Sequence, residues 1–172
     1  MSEYSRIFDA RGGHYNLANR QFPLARREEA RRFLDHLDTD RFAANRPWLD
    51  VAAGGGYAAE RALAQGLPAP AVACDASLGF VAQAHAYLLR CVGDSARLPF
   101  RSAAFAAAGS LAALHHCEAP QAVAAELLRV VAPGGRAAIG DAAGNSRTAD
   151  FLNGFVHAHT RTGHRDFSPR CH

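Results

Sequence analysis

The sequence predicts a three-layer α/β/α fold around a mostly parallel sheet. Strand-like and helix-like stretches alternate from Trp48 onward through short turns, the pattern of right-handed βαβ units. Residues Trp48–Tyr57 run from apolar residues through three glycines into a helix-forming Ala-Ala-Glu-Arg-Ala segment. Three aspartates (Asp50, Asp75 and Asp94) stand at or near the ends of successive predicted strands, where open α/β sheets bind ligands.

The elements follow in order. Residues 1–22 are polar with scattered aromatics, and Arg11-Gly-Gly-His-Tyr15 reads as a break, so this segment is expected to be loosely structured. Pro23 opens a helix near 24–38. Leu24, Phe33, Leu34 and Leu37 share its inner face, and Arg26, Arg27, Glu28 and Glu29 keep to water. Trp48–Ala53 is a strand, 57–66 a helix and Ala71–Asp75 a short strand. Ser77 is a good N-cap for a helix over 78–89, where Leu78, Val81, Ala84 and Leu88 recur at helical spacing. Cys91–Asp94 is a strand end and Arg97–Phe100 a loop. Ala104–Leu111 is strand-like despite its alanines. Pro120 begins a helix to about 132 with Val123, Leu127, Leu128 and Val131 inward. Pro133-Gly-Gly135 turns into strand Arg136–Asp141, and a last helix covers 148–160.

Composition narrows the chemistry. The chain has 172 residues and a formal charge of +3, enough length for one core and too balanced for a nucleic-acid partner. All 19 basic residues are arginines. Without lysine there is neither a Schiff-base amine nor a P-loop lysine. Cys74, Cys91, Cys117 and Cys171 form no Cys-x-x-Cys pair. No apolar leader opens the chain and no apolar run is long enough to cross a bilayer. The expectation is a cytoplasmic protein with reduced thiols and no membrane span.

The glycine triplet lets a ligand approach the backbone, and the following helix start offers free N–H groups and partial positive charge. Asp75 lies 19 residues past Gly56, the spacing at which an acid reaches ribose hydroxyls. Gly54-x-Gly56-x-x-Ala59 also fits a dinucleotide fingerprint, so the glycines alone leave an NAD-dependent oxidoreductase open. Asp50 separates the two, because a carboxylate beside the turn repels a pyrophosphate and favours a cationic ligand. S-adenosylmethionine carries a sulfonium and an ammonium, and its carboxylate can still use the turn's N–H groups. Asp94 and Ser95 would then meet the adenine edge.

These motifs together resemble the class I S-adenosylmethionine-dependent methyltransferases, and within them the ubiquinone/menaquinone-biosynthesis (UbiE-like, methyltransferase type 11) small-molecule group. Leu49-Asp-Val-Ala-Ala-Gly-Gly-Gly56 resembles the first motif and Ala73-Cys-Asp75-Ala-Ser77 the ribose-binding one. Val92-Gly-Asp94-Ser-Ala-Arg-Leu-Pro-Phe100 resembles the adenine segment. Ala112-Ala-Leu-His-His116 resembles the stretch after strand four, and Arg129-Val-Val-Ala-Pro-Gly-Gly-Arg136 the turn before strand five. Phe151-Leu-Asn153 and Gly163–Ser168 are similar to the post-sheet region.

The resemblance implies a Rossmann-like sheet of order 3-2-1-4-5 with an N-terminal helical cap. It implies one methyltransferase domain over 1–172: a cap or lid (1–45), a cofactor-binding core (46–145) and a C-terminal helix and tail (146–172). S-adenosylmethionine is the implied cofactor, contacted by Asp50, Ala52, Gly54, Gly56, Asp75, Ala76, Asp94, Ser95 and Leu111, with Tyr15 folding over it from the pre-sheet segment. Three departures stand out. Ala52 replaces a usual glycine, and Ala106 follows Phe105 where an aspartate is common. The family normally adds a helix and two strands after the fifth, so strand five is expected to leave an open edge that a second copy could cover.

Methyl transfer from a sulfonium relies on positioning and desolvation. Where the acceptor must lose a proton, His115 and His116 past strand four are the candidate base or orienter, since imidazole titrates near neutrality. A packing or capping role is the alternative. No metal is expected, because the adjacent His115, His116, Cys117 and Glu118 chelate one ion poorly. The later group His157, His159, His164, Cys171 and His172 reads as polar helix and tail positions. The expected function is methyl transfer to a small-molecule acceptor. An inactive S-adenosylmethionine-binding module is the rival.

Overall fold

A computed structural model describes residues 3–38, 46–66 and 70–160. Helix α1 (Glu3–Gln21) and α2 (Arg27–Leu37) precede β1 (Trp48–Val51). Then come α3 (Tyr57–Ala64), β2 (Ala71–Asp75), α4 (Leu78–Val81), β3 (Leu89–Val92), β4 (Phe105–Leu111), a 3₁₀ turn (Leu114–His116), α5 (Pro120–Val130) and β5 (Val131–Gly140). The described chain ends in α6 (Arg147–Phe151), a π-helical turn (Leu152–Val156) and α7 (His157–Thr160). Among the described residues no helix is long and apolar enough to cross a membrane.

The sheet order is β3-β2-β1-β4-β5 and every pairing is parallel, as expected. Its central strands are buried on both faces, which explains their unbroken apolar runs. Trp48, Ala71 and Ala107 are register partners facing the layer of α2 and α3, where Ala30, Phe33, Leu34, Leu37, Ala58 and Ala62 complete the core. Leu49, Val72 and Ala108, one residue on, face Val123, Leu127 and Val130 of α5. The alanines of β4 suit a strand pressed between two helical layers, and all seven of its residues are buried. Between the pairs Phe105–Val131 and Ala107–Arg136, β4 advances two residues while β5 advances five, because the Pro133-Gly-Gly135 turn bulges out there.

Four expectations are corrected. Residues 3–21 form a helix rather than a loose segment. Gly12 and Gly13 disfavour helix intrinsically, but a Cβ at Gly12 would lie 2.7 Å from the Phe80 ring and one at Gly13 would meet Gln83. Close packing of α1 on α4 outweighs their propensity. The helix expected over 78–89 stops after Val81. Ser77 does cap it, its Oγ accepting from Phe80 N at 3.0 Å. Arg90 Nη1 takes the carbonyl of Ala82 at 2.9 Å, and short turns carry Ala84 and Leu88 into the core without a helix. Leu24, Leu78 and Leu128, placed inward by periodicity, are 71%, 64% and 70% exposed. Arg26, assigned to water, is half-sheltered at the front of α2, with its side chain 21% exposed.

Cys74, Cys91 and Cys117 are free thiols, and burial pushes the Cys74 and Cys117 thiols up from their ordinary values. His164, Cys171, His172 and the segment Gly163–Ser168 lie outside the described residues.

Candidate active site

The glycine turn sits at the carboxyl end of β1. Ala52, Gly54 and Gly56 all have positive φ (53°, 53° and 82°), the left-handed region that favours glycine. That is the physical reason a glycine is usual where this chain has Ala52. Gly56 is the N-cap of α3 and has no side chain with which to cap it. Asp50 does so from below: its Oδ2 accepts the N–H of Ala59 at 3.0 Å. Asp50 is 1% exposed. Desolvation raises its pKa to about 7, against the opposing effect of the Ala59 hydrogen bond and with a further push from Asp75.

Asp75 ties the next strand to the same turn. Its Oδ2 accepts from Gly54 N and its Oδ1 from Ser77 N, both at 2.8 Å. Ala76 lies between these two contacts. Asp94 follows β3, is exposed, and accepts the N–H of Ala96 at 2.9 Å. Ser95 Oγ is 3.8 Å from Cys117 Sγ, so the loop after β3 touches the one after β4. Leu111 ends β4 and is buried. The tertiary structure thus brings Asp50, Gly54, Gly56 and Asp75 into one hydrogen-bonded turn, with Asp94 and Ser95 at its β3 side.

Helix α1 closes over this turn. The Phe80 ring rests on Gly54, where a Cβ would lie 2.7 Å from it, and Asn16 occupies the space beside Gly55. Phe8 stacks on Phe80 with centroids 5.2 Å apart and meets His116 edge-on at 5.5 Å. Tyr15 meets Phe80 edge-on at 5.8 Å. Asp9 anchors the helix, accepting from Ser77 Oγ at 2.6 Å and Gly79 N at 2.8 Å. Those bonds, Ser77 first, hold the Asp9 carboxyl below its ordinary pKa. The aromatics scattered through residues 1–22 were the legible signal for this cover; their partner Phe80 was not anticipated.

At the β4 and β5 ends, His115 Nδ1 lies 2.8 Å from Asp141 Oδ1, and His115 N donates to Asp141 Oδ2 at 3.1 Å. The side chains are 6% and 16% exposed. Desolvation pushes the Asp141 carboxyl up, but its bonds from His115 and Ala142 outweigh this and leave its pKa lowered. Asp141 was missed as a site residue, although it directly follows strand five, near where Asp75 stands on strand two. His115 and His116 rings are 4.1 Å apart. Among the described residues no three His, Cys, Asp or Glu side chains gather in a metal-holding group.

The methyltransferase domain family matches residues 49–139, from the strand of Asp50 to the strand before Asp141.

The chain belongs to the methyltransferase domain family.

That family belongs to the class I S-adenosylmethionine-dependent methyltransferases, whose cofactor is S-adenosylmethionine. Its fold is similar to an S-adenosylmethionine-dependent methyltransferase of Thermotoga maritima (TM-score 0.67, 18% identity, 95% of this chain and 74% of that one). It is also similar to the YcgJ protein of Bacillus subtilis (0.60, 23%, 76% and 59%). A third likeness is to phosphoethanolamine N-methyltransferase 2 of Haemonchus contortus, solved with S-adenosyl-L-methionine (0.58, 17%, 73% and 32%). The chain spans 62%, 57% and 59% of the length of three such neighbours. No curated protein matches it.

Proposed function

We propose that the chain binds S-adenosylmethionine on the β1 and β2 ends and transfers its methyl group to a small-molecule acceptor, with His115 as the general base. The donor set suits this cofactor. Gly54 and Gly56 add no side chain of their own to the turn, Asp75 closes β2 at the ribose position, and acids rather than phosphate-binding lysines surround the turn. When bound, the cofactor supplies an electrophilic methyl on a good leaving group.

The observation that carries the reading is the 2.8 Å contact between His115 Nδ1 and Asp141 Oδ1 at the ends of adjacent strands. A carboxylate acceptor there holds the proton on Nδ1, which leaves Nε2 to take the acceptor's proton. Asp141 sets the orientation of the ring. Tyr15, Phe8 and Phe80 exclude water from the cleft beside it. Ala52, Ala76, Asp94, Ser95 and Leu111 are the further cofactor contacts in this reading. The protein works in the cytoplasm as a UbiE-like enzyme. A second copy covers the outer edge of β5, which has no partner strand among the described residues.

Calorimetric titration with S-adenosylhomocysteine and with NADH tests the cofactor. Heat with the first and none with the second supports the reading, and the reverse overturns it. One observation favours a second reading, a binding module without activity: Phe80 and Phe8 fill the line from Gly54 to His116. Cofactor binding without methyl release across a broad panel of phenols, amines and carbon acids would favour that module.

A further inference from the structure

Cys74 and Cys91 are register partners on the neighbouring parallel strands β2 and β3. Partners in register project to the same face of a sheet, and both side chains belong to the layer packed under α5. Burial pushes the Cys74 thiol up, and the Cys91 thiol adds the next largest push, as expected of neighbouring sulfurs. Paired strands lie about 4.8 Å apart. That falls inside the window of about 4.4–6.8 Å between Cα atoms that a disulfide needs. The Cβ atoms must come closer than the strands, to about 3.8 Å. β2 is buried along its length and held on both sides, whereas β3 is an edge strand paired only with β2 among the described residues. β3 is therefore the strand that can yield. Cys74 is 1% exposed and Cys91 is half-buried, so one thiol meets solution and the other waits behind it. Methyl transfer uses neither.

We propose that Cys74 and Cys91 are a redox pair that closes into a disulfide between β2 and β3 and, once closed, weakens cofactor binding. The oxidant is a small-molecule disulfide of the glutathione class. The Cys91 thiolate attacks one of its sulfurs, and one glutathione thiolate leaves. The Cys74 thiolate then attacks the Cys91 sulfur of the mixed disulfide, and the second glutathione thiolate leaves. The two protons given up by the cysteines pass to the two released thiolates. Two protein thiols are oxidised as one glutathione disulfide is reduced. The effect on the site follows from chain continuity. Cys74 directly precedes Asp75, whose carboxylate holds the N–H groups of Gly54 and Ser77. Gly93 N donates to the Asp75 carbonyl at 3.0 Å, and a Cβ on Gly93 would lie 3.0 Å from Cys74 Sγ. Drawing β3 toward β2 thus shifts Gly93 and Asp94 against Asp75. A disulfide that needs such a shift is readily reduced, which makes the change reversible. The effect on binding rests on the proposed cofactor site; the disulfide itself does not.

Peptide mapping without reductant tests the pair on the full chain. The protein is equilibrated, without denaturant, in buffers of reduced and oxidised glutathione, trapped with iodoacetamide and cut with trypsin. Cleavage after Arg61, Arg90 and Arg97 puts Cys74 in fragment 62–90 and Cys91 in fragment 91–97, while Cys117 falls in 102–129. The expected result is 62–90 joined to 91–97, two hydrogens lighter than their sum, rising with oxidised glutathione and lost after dithiothreitol. Separate alkylation or separate glutathionylation of the two cysteines in every buffer overturns the pair. Calorimetry with S-adenosylhomocysteine on the reduced and oxidised proteins reads the effect on the site. Binding about ten-fold weaker on oxidation, regained on reduction and absent from Cys91→Ser, supports the switch. Equal affinity in the two states overturns that half, as does loss of the fold on oxidation, read by circular dichroism. No heat with the reduced protein overturns the cofactor reading instead, and the fragment map still decides the pair. Should Cys91→Ser not fold, Cys91→Ala carries the same comparison.

Discussion

Asp50, in the middle of β1, accepts the N–H of Ala59 in the first turn of α3 at 3.0 Å. The strand thereby caps a helix whose own N-cap, Gly56, has no side chain to offer. This arrangement costs a buried carboxyl, and it makes stability depend on pH.

The dependence has a definite sign. Desolvation raises the folded pKa of Asp50 to about 7, above the ordinary 3.8. The folded state therefore holds the proton more tightly than the unfolded one. Its contribution is most favourable below about pH 4, declines as pH rises, and is fully unfavourable above about pH 7. Asp50→Asn keeps an acceptor for Ala59 without the charge. Urea unfolding should show the variant gaining on wild type between pH 5 and pH 8, by on the order of 2 kcal/mol. A constant difference across that range would mean Asp50 is not desolvated.

Ala52 occupies a left-handed backbone conformation, φ 53°. An L-residue there costs roughly 1–2 kcal/mol, part of which glycine gives back through its freer unfolded chain. Ala52→Gly should raise stability by about 1 kcal/mol and Tm by roughly 2–4 °C. Differential scanning calorimetry at pH 6 reads this directly, and a lowered Tm would count against the strain.

Asp75 holds the N–H groups of Gly54 and Ser77 on its two oxygens. Asp75→Ala leaves both donors without that partner and should destabilise the fold by about 2 kcal/mol. It should also weaken S-adenosylhomocysteine by ~1–3 kcal/mol through lost charge-assisted hydrogen bonds. Asp75→Asn keeps one acceptor and should lie between. Unchanged affinity in a folded Asp75→Ala protein would put the ribose elsewhere.

The pair His115 and Asp141 is tested by separating kcat from KM in whichever acceptor the panel identifies. His115→Gln should lower kcat by roughly 10²-fold or more. Asp141→Asn should lower it less, since it keeps the ring in place but weakens the hold on Nδ1–H. A rise in KM alone, with kcat intact, would assign the two residues to acceptor binding.

Local chemistry carried much of this protein on its own. The glycine turn, the strand-end acids, Ser77 as a cap and the alternation that dictates a parallel sheet were readable from residue type and spacing, because each depends on near neighbours in the chain. The order 3-2-1-4-5 was readable through the resemblance that those motifs make together. What the tertiary structure decided were relations between distant segments. Gly12 and Gly13 lie within a helix because Phe80 and Gln83 press against them. Arg26 leaves the solvent because Tyr57 and Tyr15 are there to meet it. Asp141 becomes a partner because β5 sets it beside His115. Asp50, the acid that pointed to a cationic ligand, caps a helix in the folded chain. Periodicity reports which face of an element is apolar; which side chain lies across from it is decided by packing, and a one-dimensional pattern does not contain that information.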